Sequence, residues 1–137
     1  MRLLRKEGFL VGVVERTLNV SGVPFTKFDL FGFADLIAIR KQPARCLLIQ
    51  TTSKHNIRDR EHKVAENFIA AIWLSFPHHA IEVHGWVKRR VGGRSYWYCE
   101  RTLAYVDNDK VMFAKDVTAP AEDQLKFKEP KMKGGIK

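Results

Sequence analysis

Asp35 stands near the start of a segment, Ala34 to Arg40 (ADLIAIR), that is otherwise rich in Leu, Ile and Ala. An ionised carboxylate in such a strand is costly unless a metal, a basic side chain or several backbone N–H groups compensate it. A second apolar segment, Cys46 to Thr52 (CLLIQTT), carries Gln50 and Thr52 near its end. The turn between them, Lys41 to Arg45, holds Pro43 and flanking charges, as a surface hairpin should. Antiparallel pairing brings Asp35 beside Gln50 and Thr52, and alternation puts those two on one face with Leu48. Upstream, Phe9 to Leu18 (FLVGVVERTL) reads as a Val-rich strand with Glu15 towards its end. In a three-stranded antiparallel meander, Glu15, Asp35 and Gln50 meet at one sheet edge. The alternative for Glu15 is an ordinary ion pair on the rim.

This pattern resembles the PD-(D/E)XK nuclease superfamily, in which an Asp on one strand and an (Asp/Glu)-x-Lys on the next hold a divalent metal. GFADLIAI followed by LLIQTTS is most similar to the Holliday-junction resolvase branch of archaea and phages. Gln at the second acidic position resembles the Mrr-type restriction group, which has Gln-x-Lys there. By order of elements the resemblance runs from Leu3 to Trp86. It implies an α/β (α+β) fold with a restriction-endonuclease-like core: a central mixed sheet, a short N-terminal helix and one long helix. A C-terminal β-hairpin is expected to follow. The implied cofactor is Mg²⁺ or Mn²⁺, held by Asp35, Gln50, the Thr51 carbonyl and Glu15, with Glu7 as a further acid. Thr52 occupies the Lys position and cannot supply its charge; Lys54, His55 or Lys63 would have to replace it. The implied catalytic set is therefore Glu15, Asp35, Gln50, Thr52, Lys54 and Lys63. The implied activity is metal-dependent cleavage of duplex or branched DNA. A nuclease fold kept for DNA binding without cleavage is the alternative, and a homodimer is the implied assembly.

The positioning elements follow from pattern. Met1 to Glu7 reads as a short helix stopped by Gly8. Asn19 to Phe28 reads as a loop beside the site, with Lys27 facing a substrate backbone. Asp29 reads as a turn cap, or as a second acid near the metal. Past Asn56, the spacing of Val64, Phe68, Ala71, Ile72 and Ser75 predicts one helix, with Arg58, Arg60 and Lys63 in its first turns. Ile81 to Val106 predicts a hairpin whose Gly-Gly tip is wrapped in Lys88, Arg89, Arg90 and Arg94, flanked by Trp86, Tyr96, Trp97 and Tyr98. His78, His79 and His84 read as surface and strand residues without a metal. A short strand is expected over Val111 to Ala114.

Length fits one domain over residues 1–115, followed by a basic, flexible or loosely docked tail over 116–137. The chain has 24 Lys+Arg against 15 Asp+Glu, a net charge of +9. That surplus favours a phosphate-rich nucleic-acid partner ahead of a plain solubility surplus or a ribosome- or membrane-surface role. Cys46 and Cys99 lie far apart with no C-x-x-C, which argues against a cysteine zinc site and for free thiols in a reducing cytoplasm. No apolar run reaches membrane-spanning length.

Overall fold

The computed structural model describes residues 2–18, 26–115 and 123–125. The Leu- and Ile-rich segments form a hairpin, β4 (Leu36–Lys41) and β5 (Ala44–Ser53), around a turn at Gln42 and Pro43. β1 (Leu10–Val13) adds to β4 antiparallel, with Val13 opposite Leu36. After β5 a 3-10 turn (Lys54–Asn56) leads into α2 (Ile57–Ala65) and α3 (Phe68–Leu74). The chain then returns as β6 (His79–Val91), parallel to β5. β7 (Arg94–Asp107) and β8 (Lys110–Lys115) continue antiparallel, giving a mixed sheet ordered β1-β4-β5-β6-β7-β8. The N-terminal helix is α1 (Arg2–Lys6), ending before Gly8 at φ 92°.

Leu47, Leu48 and Ile49 are fully buried because β5 is covered on both faces. On one side Leu48 and Ile81 pack with Phe33, Val64 and Ala70, under α2 and α3. On the other, Leu47 and Ile49 pack with Leu4, Phe9, Leu36 and Ala38, under α1. Gly85 on β6 lets α2 approach: a Cβ there would overlap the Ile57 side chain and press on the Lys54 backbone. The β6–β7 turn uses Gly92 and Gly93, both at positive φ, as a two-residue hairpin requires.

Two expectations are corrected. Phe9 to Leu18 is not one strand. The last bond to the main sheet is Val14 N–H to the Asp35 carbonyl, 2.9 Å, and beyond it the chain of β4 turns away. The next residues, β2 (Arg16–Leu18), find their backbone partners in β3 (Thr26–Phe28), so the end of the expected loop is strand. The single long helix is two helices. Asn67 is extended (φ −94°, ψ 116°) and caps α3, accepting from Ile69 N–H at 2.9 Å. Within 116–137, where a flexible or loosely docked tail is expected, Asp123–Leu125 forms β9, paired antiparallel with Trp97–Cys99 of β7. The rest of that segment lies outside the described residues.

Candidate functional site

The β1–β4–β5 meander brings the end of β1, the start of β4 and the end of β5 to one edge. A cleft of about 340 Å³ opens there, lined by Glu15, Asp29, Asp35, Gln50, Thr51 and Arg60. Glu15, Asp29 and Asp35 each offer a carboxylate oxygen, and these oxygens all lie within 4.8 Å of one another.

Asp35 is held hard. Its N–H donates to the Ile49 carbonyl at 2.8 Å, which fixes the backbone against β5. Its Oδ2 accepts from Thr51 N–H (2.8 Å), Thr51 Oγ1 (3.0 Å) and Gln50 Nε2 (2.8 Å). Burial raises the Asp35 pKa above the ordinary carboxylate value, the Thr51 bonds oppose this, and the neighbouring Asp29 carboxyl raises it further. Like charges this close favour either a proton or a cation between them.

Gln50 is buried, and its Nε2 also donates to the Thr51 carbonyl at 3.2 Å. Both partners are acceptors, which sets the amide's orientation. Its Oε1 is buried with no hydrogen-bond partner among the described residues. Three carboxylates whose oxygens lie this close make an all-oxygen donor set, the kind that suits Mg²⁺ or Mn²⁺.

Asp29 enters through a tight loop. Its carbonyl accepts from Gly32 N–H at 3.0 Å, and Phe31 and Gly32 both take positive φ (58° and 87°). Asn67 Nδ2 donates to the Phe31 carbonyl at 2.7 Å, so the break between α2 and α3 holds this loop in place. Lys63 Nζ reaches Asp29 Oδ2 at 3.2 Å. Asp29 is thus part of the acid cluster rather than a turn cap alone. Gly32, placed between two acids six residues apart in FDLFGFAD, is the signal that could have promoted it.

No family model, curated protein or solved structure matches the chain.

Other expected site residues fall elsewhere. Thr52 does not line the cleft; it lies opposite Gly85, while Thr51 makes the contacts to Asp35. Lys54 pairs with Glu100 of β7 at 3.5 Å and does not fill the place of the missing Lys. Glu7 is not among the clustered acids: its carboxylate binds Arg101 at 2.6 and 3.2 Å. Arg58 is exposed on α2, as are Lys88, Arg89, Arg90 and Arg94 on the hairpin. The side chain of Lys27 lies outside the described residues.

The opposite face of the sheet carries a second polar group that pattern alone missed. Glu82 Oε1 meets His84 Nε2 at 2.7 Å and Arg101 Nε at 3.2 Å, all three residues being buried. His84 is therefore an interior residue, not a surface one. On β6, Gly85 faces α2, so Glu82 and His84 point to the other side of the sheet. What sequence did not show is that α1 and Arg101 cover that face.

Proposed function

We propose that the chain is a metal-dependent DNA endonuclease with a restriction-endonuclease-like core, in the manner of Holliday-junction resolvases. The observation that carries this reading is the meeting of Glu15, Asp29 and Asp35 in one open cleft, with Asp35 held by Gln50 and Thr51. Supporting it, the order helix, antiparallel meander, helices and parallel strand follows the order expected of such a core. The charge of +9 suits a polyanionic substrate.

In this reading Asp35, Asp29 and Glu15 hold Mg²⁺ or Mn²⁺, with Gln50 Oε1 as a neutral candidate ligand. When bound, the ion supplies polarisation of the phosphoryl oxygen, a more acidic attacking water and stabilisation of the leaving oxygen. Gln50 Nε2 and Thr51 fix the Asp35 carboxylate by three bonds to one oxygen. Arg60, on the cleft wall, is placed to neutralise the phosphate that enters, the task the Lys at the Thr52 position would otherwise serve. Loss of such a charge without replacement costs on the order of a few kcal/mol of barrier. Lys63 restrains Asp29 and belongs to the positioning shell.

The second reading, a DNA-binding nuclease fold without cleavage, is favoured by Thr52 and by the engagement of Lys54 with Glu100. Incubation with a labelled four-way junction, linear duplex and single strand, each with Mg²⁺, Mn²⁺ or EDTA, separates the two. The expected outcome is divalent-dependent cleavage, strongest on the junction and absent in Asp35→Asn. Binding without cleavage in every metal would establish the second reading. A homodimer making paired cuts is part of the proposal.

A further inference from the structure

β5 ends at Ser53, opposite Trp86, whereas β6 runs on to Val91. From Val87 outward β6 has no partner on its β5 side among the described residues, so this end of the hairpin extends as an arm. Because β5 and β6 are parallel, the arm leaves the sheet at the edge where Gln50 and Thr51 line the cleft.

Alternation sorts the arm's side chains. Gly85 faces the helices, since a Cβ there meets Ile57 of α2, and Trp86 faces away, packed with Leu3 and Cys99. Counting by twos and across the pairing register, Arg89, Arg94, Tyr96 and Tyr98 share the helix side. Lys88, Arg90 and Trp97 share the other. The ring contacts agree: Arg89 lies 5.0 Å over Tyr98, and Lys88 lies 5.8 Å over Trp97. Gln50, opposite Val83, is on the helix side as well, and Arg60 of α2 lines the same cleft. Arg89 and Arg94 therefore share the cleft's side of the sheet, and Lys88 and Arg90 its back.

At ~3.3 Å per residue, Val83 to Arg89 spans roughly 20 Å and Val83 to the glycine tip roughly 30 Å. Duplex DNA presents a phosphate every ~3.4 Å along each strand, so the arm reaches about six to nine base pairs. Only a stiff ligand bridges that gap without intermediate support, and duplex is stiff over ~150 base pairs. The tyrosines do not suit unpaired bases: Tyr96 and Tyr98 are partly covered, and Arg89 lies over the Tyr98 ring.

We propose that the helix-side face of this arm is a duplex-DNA track, its Arg89 and Arg94 holding phosphates about six to nine base pairs to one side of the cleft. The inference rests on the nuclease reading for what occupies the cleft. The test measures binding by fluorescence anisotropy in EDTA, using duplexes and single strands of graded length and a salt series. It compares the unaltered chain with Arg89→Gln/Arg94→Gln and with Lys88→Gln/Arg90→Gln, melting curves confirming that each folds. Affinity for duplex should climb with length until about ten base pairs flank the cleft. The Arg89/Arg94 variant should lose that climb and lower the log–log salt slope by about two, the Lys88/Arg90 variant by less than one. Equal effects of the two pairs, no dependence on length, or tighter binding of single strands would overturn the proposal. Arm behaviour as expected without cleavage in any metal would overturn the nuclease reading alone. Cleavage with arm variants that bind like the unaltered chain would overturn the arm alone.

Discussion

At the scale of single residues, the proposed metal site turns on Asp35. Three bonds converge on its Oδ2 while burial and Asp29 favour its protonated form. A folded-state pKa above the unfolded one means that the native chain holds this proton more tightly. Its contribution to stability is therefore full below the ordinary carboxylate pKa and is lost as pH rises through the raised value. Metal binding has the opposite sign, because a ligand carboxylate must be deprotonated. Calorimetric titration with Mn²⁺ should show affinity climbing over that same pH window, and Asp35→Asn should abolish it. Melting curves without metal should show the unaltered chain losing stability relative to Asp35→Asn as pH rises through the window. Mn²⁺ binding that persists unchanged in the variant would remove Asp35 from the ligand set. The importance of Asp35 was legible because a lone acid in a Leu/Ile strand demands compensation. The partner roles of Thr51 and Asp29 were less so. Alternation favoured Thr52, but Asp35 stands just before the first paired residue of β4, where the Thr51 N–H and hydroxyl both reach it.

At the scale of elements, the β4–β5 hairpin and the β6–β7 hairpin follow their hydrophobic and turn patterns closely. The helical region does not. The apolar spacing continues across Asn67, so periodicity alone could not see the break, and it put Phe68 and Ile72 on one helical stripe with Val64. Both are exposed, at 75% and 51%, while Ala70 is buried. The register of α2 depends on Gly85, a residue that reads in sequence only as a gap in a strand. Gly85→Ala should cost roughly 1–3 kcal/mol, because the methyl meets Ile57 and the backbone of the 3-10 turn gives little room. It should also displace α2, and with it Arg60 and Lys63; on the nuclease proposal this lowers cleavage more than an equally destabilising core change elsewhere. Denaturant unfolding of Gly85→Ala, Ile57→Ala and the double variant checks this. The cycle should return a stabilising coupling of ~0.5 kcal/mol or more. Strict additivity would show that Ile57 is not what the methyl strikes.

At the scale of the whole molecule, charge and topology divide the work between regions. Arg101 reaches Glu7 across 94 residues of sequence and Glu82 across the β6–β7 pair, tying α1 to the centre of the sheet. No local pattern reveals a pairing of that range. The charge surplus is easier to read: the segment beyond Lys115 carries five lysines but also Asp116, Glu122, Asp123 and Glu129. It adds little to the net +9, so the charge surplus belongs mainly to residues 1–115. β9, however, covers the Trp97–Cys99 edge of β7 on the side away from β6. Ending the chain at Lys115 uncovers that edge, and an unpaired strand edge invites pairing with another chain. On the proposed reading, the truncated protein should bind duplex DNA as the full chain does, with a salt slope changed by less than one. Its melting temperature should fall by a few degrees, and it should self-associate on raising concentration, seen by light scattering. A steep loss of DNA affinity with stability intact would place the binding charge in the removed segment instead.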